Sequence, residues 1–132
     1  MKVLVTGFEP FGNNIENSSW VVANKVVTQN TFDIALELMP VSFRSVAKTL
    51  RTAVTRHNPD LLIMLGQAGS SDKVRLERIA INMMDARSAD NDGFIPDEEP
   101  ISTETPAALF TNTDIRILVV FLQYLSIPVT HF

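Results

Sequence analysis

Between Val3 and Leu65 the apolar residues change period repeatedly, and that alternation constrains the fold more than any other feature of the chain. Val3 to Thr6, a β-branched run before Gly7, and Leu61 to Leu65, closed by Gly66, have the form of short strands buried on both faces. Ile34, Leu36 and Leu38 alternate with Ala35, Glu37 and Met39, which predicts a half-buried strand ended by Pro40. Helical spacing fills the gaps. A first helix is expected from Asn17 to Ser19 up to about Thr28, with Trp20, Ala23, Val26 and Val27 on its apolar side. A second is expected after Ser42 as cap, with Phe43, Val46, Ala47, Leu50, Ala53 and Val54 on one face and His57-Asn58-Pro59 as its stop. Strands alternating with helices require a parallel sheet joined by crossover helices, so the fold class is α/β.

From Gln67 the rhythm breaks. Arg78 to Met83 reads as a strand, but Ala86 to Pro106 is polar and acidic and is punctuated by Gly93, Pro96, Pro100 and Pro106. A long irregular excursion in a compact domain is expected to be a functional loop or a disordered one. Asp114 then caps a last helix bearing Ile115, Leu118, Val119, Leu122 and Leu125. Ile127-Pro128-Val129 opens another strand, and Phe132 follows three residues later, so residues 1–132 are expected to form one incomplete domain lacking C-terminal elements.

Composition narrows the function classes. A chain of 132 residues with 45% apolar content is long enough for one core without staples. A net charge of −4 is a poor match for a polyanion, so nucleic acid is not expected as a partner. Zero cysteines exclude a disulfide scaffold, a thiolate zinc site and a cysteine nucleophile within these residues. The amino terminus has too short an apolar run for a signal peptide, and no stretch approaches the roughly 18 apolar residues of a membrane span, so a cytoplasmic protein is expected. His57 and His131 are the two histidines, and no carboxylate stands at ligand spacing from either; neither a metal cluster nor a Ser-His-Asp arrangement is expected.

Three places could carry chemistry. Gly7-Phe8-Glu9-Pro10-Phe11-Gly12 follows the first strand but matches no phosphate-binding glycine motif. Phe8 and Phe11 are either core residues or the lining of a site for a flat apolar ligand, since open α/β sheets bind ligands at the carboxyl ends of their strands. Gly66-Gln67-Ala68-Gly69 is either a tight turn or a grip for a ligand amide. Glu77, between Arg75 and Arg78, reads by default as half of a surface ion pair.

Taken in order, the motifs resemble one family, pyroglutamyl peptidase type I, also called pyrrolidone carboxyl peptidase. Val3-Leu4-Val5-Thr6-Gly7-Phe8-Glu9-Pro10-Phe11-Gly12 resembles its opening, and Asn17-Ser18-Ser19-Trp20 its Asn-Pro-Ser-Trp. Pro59-Asp60 leading to Gly66-Gln67-Ala68-Gly69 resembles its third-strand signature. Glu77-Arg78-Ile79-Ala80-Ile81-Asn82, Asp85-Ala86-Arg87, Asp90-Asn91-Asp92-Gly93 and Pro106-Ala107-Ala108 complete the set. The resemblance implies a three-layer α/β/α sandwich with a mostly parallel sheet. It implies a cytoplasmic thiol peptidase, homo-oligomeric and without cofactor or metal, that removes an amino-terminal pyroglutamyl residue from peptides. On the matching positions Glu77 is the acid of a Cys-His-carboxylate set, Phe8 and Phe11 line the lactam slot, Gln67 and Arg87 lie by the site, Arg87 near the oxyanion, and Asn17 is a buried polar anchor behind it.

The chain also departs from the pattern. After a segment like Ile127-Pro128 the family continues into the strand and turn that carry its cysteine, with its histidine later still, whereas here Thr130-His131-Phe132 follows. Ser88 replaces an apolar residue of the slot, and Asn13, Ser18 and Ser70-Ser71 are smaller departures. Three functions are therefore carried forward: an inactive fragment of a peptidase, a non-catalytic binder of pyroglutamyl termini, and a subunit completed by a separate chain bearing the Cys and His.

Overall fold

The computed structural model describes residues 1–28 and 31–131. Its elements are β1 (Lys2–Phe8), α1 (Ser18–Thr28), β2 (Asp33–Met39), α2 (Val46–His57), β3 (Leu61–Met64), β4 (Val74–Leu76), β5 (Ile79–Ile81), β6 (Ala108–Phe110), α3 (Ile115–Tyr124) and β7 (Val129–His131). They fall into two compact units, one of residues 1–67 with 86–96, the other of residues 68–85 with the chain from Asp97 on.

The first unit is built on β1. Its sheet has the order β2-β1-β3, all parallel, with Val5 in register with Leu36 on one side and Ile63 on the other. A strand flanked on both edges and covered on both faces is near-continuously apolar, and Val3, Leu4 and Val5 supply that run before Thr6, which is also buried. Val3 and Val5 meet Ala23 and Trp20 of α1. Leu4, on the opposite face, meets Ala53, Val46 and Leu50 of α2 together with Met39. Helix, sheet and helix thus form three layers, the α/β arrangement expected from the alternation.

Gly7 does not end the strand. β1 continues to Phe8, and the glycine answers to a different constraint: a Cβ there would lie 2.8 Å from Ser19 O and from Trp20 Cα, so α1 crosses the strand against bare backbone. The second helix also starts later than its apolar spacing predicts, at Val46 instead of directly after Ser42. Residues 43–45 form a turn in which Phe43 N–H donates to Asp90 Oδ2, 2.9 Å, while Ser45 N–H donates to Ser42 Oγ, 3.2 Å. Its stop is as expected, with Asn58 left-handed at φ 43° and its N–H donating to Val54 O.

The second unit has short elements. β5 and β6 are antiparallel, with Ala80 facing Leu109, and β4 pairs in parallel with β7, Val74 facing Val129. The strand expected over Arg78 to Met83 shrinks to Ile79–Ile81, and β4 and β6 carry no sequence signal because three residues are too few for alternation to show. α3 begins as expected, with Asp114 Oδ1 accepting from Arg116 N–H at 3.0 Å. Asn82 supports the loop before β6: its Nδ2 donates to Ser102 O, 2.7 Å, and its Oδ1 accepts from Ser102 N–H, 3.0 Å. Among the described residues no helix is long and apolar enough to cross a membrane.

Candidate functional site

Parallel strands deliver their loops to one edge, and in the first unit that edge is where β1, β2 and β3 end at Phe8, Met39 and Met64. Glu9 follows β1 directly. Its N–H donates to Met39 O, 3.0 Å, and its Oε1 accepts from Val41 N–H, 3.0 Å, and from Asn91 Nδ2, 2.9 Å, so one carboxylate oxygen ties the ends of two strands to a residue far along the chain. Asn91 also donates from Nδ2 to Pro10 O, 2.9 Å, and from its backbone N–H to Val41 O, 3.0 Å.

Asp90 organises the segment that brings Asn91 there. Its Oδ1 accepts from Asp92 N–H and Phe94 N–H, both 2.9 Å, and its Oδ2 from Phe43 N–H. Burial alone would push its carboxyl up, but the three backbone donors and the Arg44 guanidinium outweigh it and hold Asp90 below its ordinary value. Ser42 Oγ donates to Asp92 Oδ2. Phe94 stands edge-on to Phe43, ring centroids 6.3 Å apart, and the Arg44 guanidinium carbon lies 4.3 Å from the Phe94 centroid. The first part of the acidic excursion, residues 86–96, is thus an ordered loop closed at its base by Ala86 N–H donating to Pro96 O, 3.1 Å.

Asn17 is 3% exposed and bonded at both ends of its carboxamide: Nδ2 donates to Glu9 O, 3.0 Å, and Oδ1 accepts from Ser19 N–H, 3.0 Å, and Ser19 Oγ, 2.7 Å. Ser19 Oγ in turn accepts from Phe8 N–H, 2.9 Å. Asn17 therefore joins the turn after β1 to the start of α1. Gln67 is half-buried, and its carboxamide oxygen accepts from Ser18 N–H at 2.8 Å, so it caps α1. Phe8 is half-buried and packs against the Leu4–Met39–Ala53 cluster, while Phe11 is 37% exposed.

These side chains stand in the motifs that define a family. Residues 1–130 match the family described as pyroglutamyl peptidase. The chain belongs to the pyroglutamyl peptidase family. It is 40% identical over 129 residues to the pyrrolidone-carboxylate peptidase of Bacillus subtilis strain 168 and 39% identical over 129 residues to that of Thermococcus onnurineus strain NA1. Those matches take in 96% and 97% of this chain but 60% and 64% of the two relatives. Among solved structures, pyroglutamyl peptidase I of Bacillus amyloliquefaciens superposes with a TM-score of 0.92 at 37% identity, over 99% of this chain and 65% of that one. The pyrrolidone carboxyl peptidase of Fervidobacterium islandicum AW-1 gives 0.92 at 34%, over 100% and 64%. The chain thus spans less than two thirds of the length of these pyroglutamyl peptidases.

Within this family fold the remaining candidate residues are more open. Arg87 is exposed at the start of the 86–96 loop. Glu77, in the second unit, is exposed in the break between β4 and β5. A carboxylate far along the sequence reaches one histidine in space: Glu37 Oε1, on β2, lies 2.7 Å from His57 Nε2 and 2.7 Å from Arg56 Nη1 at the end of α2. The β2-α2 crossover makes that pair, and sequence separation hides it. No group of three or more metal-ligating side chains occurs among the described residues.

Glu9, Asp90 and Asn91 stand in the motifs quoted above, but the sequence assigned them no role. Asp90 had a signal, since Asp-x-Asp-Gly favours a side chain that bonds the backbone two residues on. Glu9 and Asn91 had none, because their partners are set by tertiary contact.

Proposed function

We propose that this chain carries the lactam-recognition part and the acid of a thiol pyroglutamyl peptidase that acts in the cytoplasm on peptides with amino-terminal pyroglutamate. Phe8 and Phe11 line an apolar slot for the five-membered lactam, Gln67 lies beside it with Asn17 as its anchor, and Arg87 stands near the oxyanion. Glu77 fixes the tautomer of the histidine that takes and returns the proton. The observation that carries this reading is the match of residues 1–130 to the family, with its opening motif held at the carboxyl edge of a parallel sheet.

These 132 residues hold no cysteine, so the nucleophile comes from outside them. That favours, as a second reading, an acid and slot completed by a separate chain that brings the cysteine and histidine. In either case the 132-residue chain alone does not turn over a chromogenic pyroglutamyl anilide; thiol-independent turnover would overturn the mechanism.

Binding is tested separately by NMR titration with pyroglutamate. One small ring against two aromatics, with Ser88 in place of an apolar neighbour, gives millimolar affinity or weaker, far below the about 1.5 kcal/mol per heavy atom of the best small ligands. Phe8 packs against the core, so Phe11→Ala is the cleaner variant. It abolishes binding, as Phe8→Ala also does, while Glu77→Gln leaves it nearly unchanged. Tight binding, or loss on Glu77→Gln with Phe11→Ala silent, would place the slot elsewhere.

A further inference from the structure

We propose that Asn91 is a positioning residue that sets the place of the Phe8–Phe11 turn from a loop some eighty residues later in the chain. The turn itself has little to hold it. Pro10 brings no N–H, Phe11 and Gly12 are exposed, and Gly12 is left-handed at φ 60°, so, unlike Phe8, which ends β1 and packs on the core, Phe11 is not held by packing. What holds the turn comes from outside it: Ser19 and Met39 take the N–H groups of Phe8 and Glu9, Asn17 and Asn91 donate to the carbonyls of Glu9 and Pro10, and Asn14 donates to Phe11 O from its backbone N–H and its Nδ2, both at 3.2 Å.

Of these, Asn91 alone grips both a side chain and a carbonyl of the turn. Its carboxamide nitrogen has two N–H groups, and each finds an acceptor at 2.9 Å, Glu9 Oε1 and Pro10 O. The Glu9 oxygen also accepts from Val41 N–H, and Asn91 N–H donates to Val41 O, so residues 9, 41 and 91 form a closed ring of hydrogen bonds. A shift of the 86–96 loop, which also carries Arg87, must therefore move the turn or break the ring. Both acceptors of the carboxamide are oxygens and one is a carboxylate; a group that cannot donate is repelled there. Asn91 is itself exposed, so its replacement leaves no cavity.

The proposal deepens the lactam-slot reading and rests on it for its functional consequence, while its structural half can be read without ligand. The full 132-residue chain is labelled with 15N, and its amide spectrum and hydrogen exchange are compared in Asn91→Asp, Glu9→Gln and the double variant. Asn91→Asp removes the donor at constant size and faces a second carboxylate. The expected result is shifted amides at Phe8, Glu9, Phe11 and Val41, at least about tenfold faster exchange at Val41, whose N–H bonds the Glu9 carboxylate, and unmoved amides in the centre of β1. Glu9→Gln keeps an acceptor and is close to native. The double variant removes the repulsion between the two carboxylates but restores no donor to Pro10 O, so it recovers part of the Asn91→Asp loss, which a role in packing alone would not produce.

Pyroglutamate is then titrated into the same variants, with at least tenfold weaker binding expected for Asn91→Asp and partial recovery in the double variant. Unchanged turn amides in Asn91→Asp, no recovery in the double variant, or equal affinity of the single variant and the native chain would each overturn the proposal. If Asn91→Asp unfolds the whole chain, the same turn amides are read in Asn91→Ala, which removes both donors from an exposed side chain without adding a charge, and unchanged amides there overturn the proposal. If the native chain shows the expected coupling but binds no pyroglutamate, the slot reading fails and the positioning role stands.

Discussion

The two units bury their apolar residues to very different degrees. In the first, Val3, Leu4, Val5, Ala23, Met39 and Ala53 are each at most 6% exposed and form two clusters, one on each face of the sheet. In the second, Ile115 at 9% is the one buried large hydrophobic among the described residues, while Ile81, Leu109, Phe110, Ile117, Val120 and Tyr124 are all more than half exposed. The second unit has the sequence of an interior without the burial. Parallel sheets need both faces covered, and β1 obtains cover on both faces and both edges from residues within the first 65 positions. The strands of the second unit are three residues long and have one partner each.

The largest expected effect tests this contrast directly. Leu4→Ala, at a position that is 0% exposed, should cost about 3 kcal/mol, whereas Phe110→Ser, at 72% exposure, should cost under about 0.5 kcal/mol, both read from denaturant midpoints. Comparable losses would mean that the second unit buries its apolar face after all. Next comes Gly7→Ala, where the added methyl meets backbone of Ser19 and Trp20 at 2.8 Å. A loss of about 2 kcal/mol with faster amide exchange through α1 is expected, and exchange at β5 and β6 should not change. An unaffected melt would show that α1 can move aside.

Smaller still is the cap of α3: Asp114→Ala should lower the stability of that helix by about 1 kcal/mol, seen as faster exchange at Arg116 with β1 untouched. The smallest effect is local and depends on pH. Asp90 is held below its ordinary value, so its contribution is complete above the unfolded carboxylate value of about 3.9 and is lost as pH falls through the lower folded one. The amides of Phe43, Asp92 and Phe94 should therefore move together below about pH 3.9, and Asp90→Asn should abolish that shared step. A step at a higher pH would mean that the backbone donors do not dominate.

Much of the fold was legible in advance because the evidence for it is local. The β1 run, the α2 spacing and the Asn58 stop depend on residues within one turn or one strand of each other, and each appeared close to its expected place. At Gly7 a distant partner was responsible: α1 rather than a turn accounts for the glycine. The candidate site was legible as motifs, not as geometry. The motifs named Phe8, Phe11, Asn17, Gln67, Glu77 and Arg87, but not that Gln67 caps α1 or that Phe8 belongs to the core beneath α2.

The sequence by itself determined the alternation of strand and helix, the family and the lack of any thiol in these residues, because period, motif order and composition are properties of the chain alone. Tertiary structure alone decided that Glu9, Val41 and Asn91 close a ring at the sheet edge and that Glu37 meets His57. Those contacts join residues 20 to 82 positions apart, and a hydrogen bond depends on where folding brings two atoms, which no spacing along the chain records.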